Sequence, residues 1–122
     1  MTAFQLIHEI KLLCRLHYRK PSEITINYRH DSDSDVYPVT HTGNNPSFWI
    51  RTSCKVPAKP LTAQQLIGRI TKNGCLTDEV FVRFNGAESE GYPITEVWED
   101  IYDAETNSVL ESIVLVTEPE DQ

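Results

Sequence analysis

Thr2-Ala3-Phe4-Gln5-Leu6-Ile7-His8-Glu9-Ile10 returns further along the chain as Thr62-Ala63-Gln64-Gln65-Leu66-Ile67-Gly68-Arg69-Ile70, with Thr, Ala, Gln, Leu, Ile and the last Ile at identical spacing. A recurrence of this kind governs the reading of everything between its two occurrences. Each stretch is a helix start. The threonine hydroxyl can accept from an orphan amide of the first turn, while the glutamine three residues on reaches back to the cap. Met1 with Leu6, and Leu61 with Leu66, stand at the two positions of a hydrophobic staple. Apolar residues then recur at Ala3, Leu6, Ile7, Ile10 and Cys14, and at Ala63, Leu66, Ile67 and Ile70, one helical stripe in each stretch. Pro21 is expected to stop the first helix, and Asn73-Gly74 to end the second in a left-handed cap.

Downstream of both helices the period changes from helical to alternating. Ile24, Ile26 and Tyr28 share one face of a strand, as do Val80, Val82 and Phe84, and the sequence aligns Glu23–Tyr28 with Glu79–Phe84. A polar loop follows in each case, and then Tyr37-Pro38-Val39-Thr40 or Tyr92-Pro93-Ile94-Thr95. Turns near Gly43-Asn44-Asn45-Pro46 and Asp103-Ala104-Glu105-Thr106-Asn107 lead into Phe48–Thr52 and Ile113–Thr117. The fold expected is therefore α+β, a tandem duplication of a helix-strand-strand-strand unit forming one compact pseudo-twofold body. Residues 1–55 make the first copy, residues 56–60 a proline-rich connector, residues 61–117 the second copy and residues 118–122 a frayed acidic tail. A unit of about 60 residues buries only about 60% of its unfolded surface, so the copies are expected to share a core.

Charge is divided unevenly between them. Residues 1–60 hold eight basic and five acidic side chains, a net of +3, whereas residues 61–122 hold three basic and 13 acidic, a net of -10. The whole chain, at -7, is a poor candidate for coating nucleic acid or an anionic membrane, so direct nucleic-acid binding is not expected. The helix-one cations Lys11, Arg15, Arg19 and Lys20 read as an ordinary solvent face. An acidic second half suits a protein partner with a basic surface, or a head-to-tail homodimer in which opposite halves attract.

Chemistry-bearing motifs are sparse. No Gly-rich phosphate loop and no nucleophile elbow is present among five glycines. The run Asp31-Ser32-Asp33-Ser34-Asp35 starts like a calcium loop but has Val36 where glycine is needed and Thr42 where a bidentate glutamate belongs. His8, His17, His30 and His41 lack zinc spacing, and Cys14, Cys54 and Cys75 contain no Cys-x-x-Cys, so they read as reduced thiols of a cytoplasmic protein. No membrane span, metal, cofactor or catalytic residue is expected. The candidate partner-binding residues are Glu96, Trp98, Glu99, Asp100 and Asp103. Strand alternation puts Glu96, Trp98 and Asp100 on one face and Glu99 with Ile101 on the other, and leaves Trp98 as either core or an exposed anchor.

The second half, from Leu61-Thr62-Ala63-Gln64-Gln65-Leu66-Ile67 through Asp78-Glu79-Val80 to Tyr92-Pro93-Ile94-Thr95-Glu96-Val97, resembles a loose pattern of small, mostly uncharacterised phage, prophage and plasmid proteins with a capped helix, a strand and a "YPI-x-x-V" hairpin. The resemblance carries no catalytic signature. It implies an accessory factor, an inhibitor of a host nucleic-acid-binding or defence protein acting through carboxylates. The competing expectation is a small enzyme or ligand-binding protein with a pocket between the copies.

Overall fold

A computed structural model describes residues 1–30, 36–43, 48–52, 59–73, 76–83, 91–104 and 107–117. The architecture is α+β. The elements run α1 (Ala3–Leu16), a 3-10 turn (Pro21–Glu23), β1 (Thr25–His30), β2 (Tyr37–Gly43), β3 (Trp49–Thr52), α2 (Ala63–Asn73), β4 (Phe81–Arg83), β5 (Tyr92–Ala104) and β6 (Asn107–Thr117). The six strands close into a barrel in chain order. Three antiparallel neighbours follow from hairpins, with β4 and β5 the fourth such pair, and two parallel pairings, β1 with β6 and β3 with β4, complete the ring. The outer part of the β5–β6 hairpin runs beyond the ring, since β4 pairs with β5 only at Tyr92 and Pro93 and β1 meets β6 only from Ser112 onward.

Both capping boxes form. Thr2 Oγ1 accepts from Gln5 N at 3.2 Å and Gln5 Oε1 from Thr2 N at 2.9 Å, and the same pair of bonds at Thr62 and Gln65 measures 3.1 and 2.9 Å. Further orphan amides at each helix start are taken by carbonyls of the segments that lead into β4 and β1, in the other half of the chain. Ala3 N donates to Asp78 O and Phe4 N to Leu76 O, while Ala63 N donates to Ile24 O. In return Val80 N donates to Met1 O and Ile26 N to Leu61 O. Each half is thus stitched to the other at a helix N-terminus. The apolar stripes of both helices and the inward strand residues form a single core, with Leu6, Ile10, Ile24, Ile26, Tyr28, Leu66, Ile70, Val80 and Ile113 wholly buried.

The end of α1 differs from the expectation. Pro21 does not stop it; the helix closes at Leu16, with Tyr18 at φ 54° in the left-handed region. Arg19 N donates to Cys14 O and Tyr18 N to Arg15 O, the two bonds of a Schellman motif usually built on glycine. Pro21 instead opens the 3-10 turn that leads into β1.

The registers also correct the alignment of the two strands after the helices. Tyr28 pairs with Tyr37, and Val82 pairs with Tyr92, so the residue in the place of Tyr28 is Val82, two positions before Phe84. Phe84 lies outside the described residues, as do Asp31–Asp35, the turn at residues 44–47, the connector through residue 58, Cys54, Cys75 and residues 118–122. Each longer hairpin carries an extra residue at the same point. Thr40 interrupts the β2–β3 register between Val39 and His41, and Thr95 interrupts β5–β6 between Ile94 and Glu96.

Candidate functional site

Past the Thr95 bulge, pairing with β6 decides which way each β5 residue faces. Glu96 lies opposite Val116, Trp98 opposite Val114 and Asp100 opposite Ser112, on the outer surface; Val97 and Glu99 lie opposite Leu115 and Ile113, which are wholly buried. The alternation expected for Glu96, Trp98 and Asp100 is present. A second shift between Asp100 and Ile101 sets Ile101 against Leu110, where its side chain is 38% exposed.

Trp98 is exposed and not a core residue, with 41% of its surface open. Its posture is fixed from two sides. The indole Nε1 donates to Glu96 Oε2 at 2.6 Å, and the Arg29 guanidinium lies 5.3 Å from the ring centroid, reaching over from β1. The strand between them is β6, whose outward Val114 and Val116 are almost fully covered. Beside this pair an open depression of about 200 Å³ is lined by Arg29, Val36, Trp98, Glu99, Asp100 and Val114.

The carboxylates expected to act together have different partners. Asp100 Oδ2 accepts from Ser112 Oγ at 2.9 Å on the outer face. Glu99 turns toward α1, where its Oε2 meets Nε2 of His17, the C-cap residue, at 3.0 Å. Asp103 belongs to the end of β5, and its side chain lies outside what is described. The structure therefore groups Glu96, Trp98 and Asp100, adds Arg29, which sequence reasoning missed, and assigns Glu99 a link between helix and sheet.

A larger cleft, about 480 Å³, runs between α1 and the β4–β5 side and is lined by Met1, Gln5, Glu9, Glu79, Pro93, Ile94 and Thr95. Most of its polar groups are committed to the fold. The Met1 ammonium donates to Glu79 Oε1 at 2.7 Å and to Ile94 O at 3.0 Å, Gln5 caps Thr2, and Thr95 Oγ1 donates to Val116 O. Among the described residues that line it, Glu9 alone is left to meet a ligand.

Cys14 is closed off from solvent. It is buried in the α1 stripe, and burial pushes its thiol pKa up, away from the thiolate a nucleophile requires. No helix is long and apolar enough to cross a membrane. Among the described residues no three His, Cys, Asp or Glu side chains converge as a metal site would need. Comparison with protein-family models, curated proteins and solved structures finds no match.

Proposed function

We propose that this chain is a non-enzymatic protein-binding module whose contact centre is Trp98, flanked by Glu96, Asp100 and Arg29. The observation that carries the reading is the fixed, exposed indole. A tryptophan held by a hydrogen bond and a stacked guanidinium loses little rotamer freedom on binding, so its contact area converts efficiently into affinity. The adjacent depression is the size of one side chain. Carboxylates at Glu96 and Asp100, four residues apart on the strand and so roughly 13 Å from each other, select a basic partner by charge.

The same reading treats residues 1–55 and 61–117 as copies of one αβββ unit. The matching capping boxes, the reciprocal helix-to-strand bonds and the two bulges at Thr40 and Thr95 support it. The copies have then diverged in surface charge, and the acidic one supplies the binding face. A basic nucleic-acid-binding or defence protein of a host cytoplasm is the partner class this face suits, with the carboxylates standing where phosphates would lie.

The test is affinity capture from lysate with the wild-type chain and with Trp98→Ala as bait, each at low and at high salt. A protein retained by wild type at low salt, lost at high salt and absent from the Trp98→Ala bait supports the proposal. Equal recovery on both baits rejects it.

A further inference from the structure

On the opposite wall of the barrel the parallel pairing of β3 with β4 sets Trp49 beside Phe81 and Arg51 beside Arg83. All four face outward, because the intervening Ile50 and Val82 are wholly buried. Two rows result, one aromatic and one cationic, a two-residue step apart, or about 6.6 Å along the strands. Pairing with β2 brings Gly43 beside Trp49 and exposed His41 beside Arg51.

Glycines let the half-buried aromatic row lie close on the backbone. A Cβ at Gly43 would fall 2.0 Å from Trp49 Cζ2, so the indole lies over the bare backbone there. Gly91, at φ 90°, approaches Phe81 from the other side, where a Cβ would come to 3.0 Å from Phe81 Cβ. The Arg83 guanidinium sits 4.8 Å from the Trp49 ring centroid, which orients it while leaving its N–H edge to take an anion. Like charges facing each other across a strand pair are destabilising, and among the described residues neither Arg51 nor Arg83 has a carboxylate partner. Strands β2, β3 and β4 contain no Asp or Glu at all, whereas β5 and β6 carry Glu96, Glu99, Asp100, Asp103 and Glu111 and no Lys or Arg.

We propose that the outer face of β3 and β4 binds single-stranded nucleic acid, with bases against Trp49 and Phe81 and phosphates at Arg51 and Arg83. Aromatic side chains beside a cationic track on a curved sheet are the general means of holding an unpaired strand without reading its sequence. The net charge of -7 counts against the chain as a whole, but the acidic residues that belong to strands lie on β5 and β6 and not on β3 or β4. The cations used are not those of helix one. This face is independent of Trp98, so either proposal can fail without the other.

The experiment uses the full chain with Trp98→Phe, which leaves Trp49 as the only tryptophan of two. Fluorescein-labelled oligo-dT and oligo-rU of about 12 nucleotides, within the usual span of such sites, are titrated by anisotropy while Trp49 emission is recorded. The expected result is saturable binding with quenching of Trp49, and a log–log salt slope near roughly -1.4 for two phosphate contacts. Arg51→Gln with Arg83→Gln should weaken binding at least about tenfold while the barrel still melts cooperatively, and Trp49→Phe should retain most of it because stacking survives. Absence of binding at low salt, an unchanged affinity in the double glutamine variant, or equal binding of heparin or duplex DNA with no quenching of Trp49 would each overturn the proposal.

Discussion

Tyr28 Oη and Thr117 Oγ1 lie 2.5 Å apart inside the barrel, a buried hydrogen bond that joins β1 to β6. The corresponding place in the other half holds Val82 and Thr52, and there the Thr52 hydroxyl is buried without a partner among the described residues. Beside the β1–β6 parallel pairing the buried hydroxyls satisfy each other, whereas beside the β3–β4 pairing an apolar side chain leaves the Thr52 hydroxyl stranded among the described residues.

Opposite responses to the same substitution follow. Thr52→Val removes an unsatisfied buried group and should stabilise by about 1 kcal/mol, whereas Thr117→Val strands the Tyr28 hydroxyl and should cost about 1–3 kcal/mol. Urea melts of the two variants against wild type check the signs.

Tyr18 is 95% exposed, so its left-handed backbone is strain without compensating contact. Tyr18→Gly should raise stability by about 0.5–1 kcal/mol, the relief of strain being partly offset by the greater freedom of glycine in the unfolded chain. A thermal melt that shows a loss would mean that the tyrosine ring has a partner.

The raised Cys14 thiol gives an alkaline signature. The folded state favours the neutral thiol, so this contribution is intact below the unfolded value of about 8.5 and is lost as pH rises through the higher folded value. Wild type should lose stability relative to Cys14→Ala on going from about pH 8 to pH 10.5, and native Cys14 should resist alkylation until the chain unfolds. Paired melts across that range, with mass spectrometry of the alkylated peptide, measure both.

Reciprocal bonds at the helix starts bind the halves together, since Ala3 uses Asp78 and Ala63 uses Ile24. A fragment of residues 61–117 should accordingly show no cooperative melt, and mixing it with residues 1–60 should restore one. Circular dichroism of the separate and mixed fragments is the check.

The helix starts, the strand order and the face shared by Glu96, Trp98 and Asp100 were legible in the sequence because capping and alternation are local. The ring closure was not. Parallel seams bring Thr25 to Ser112 and Trp49 to Phe81, pairings between distant segments that leave no periodic trace. For the same reason the sequence could not show Arg29 above Trp98, nor the two-by-two array of Trp49, Phe81, Arg51 and Arg83. Nor could it show that Glu99 meets His17, which lies more than eighty positions earlier at the C-cap of α1. The shift that replaces Phe84 by Val82 escaped alignment because both residues suit an inward strand position equally well.

In the proposed reading the two walls of the barrel are separate binding faces, with protein on the Trp98 wall. The affinity of the captured partner, measured at low salt for wild type, Trp98→Ala and Trp49→Phe, separates them. The expected result is a loss of at least about 2 kcal/mol for Trp98→Ala, the scale of an interface hot spot, with Trp49→Phe indistinguishable from wild type. Equal affinity for wild type and Trp98→Ala would contradict it.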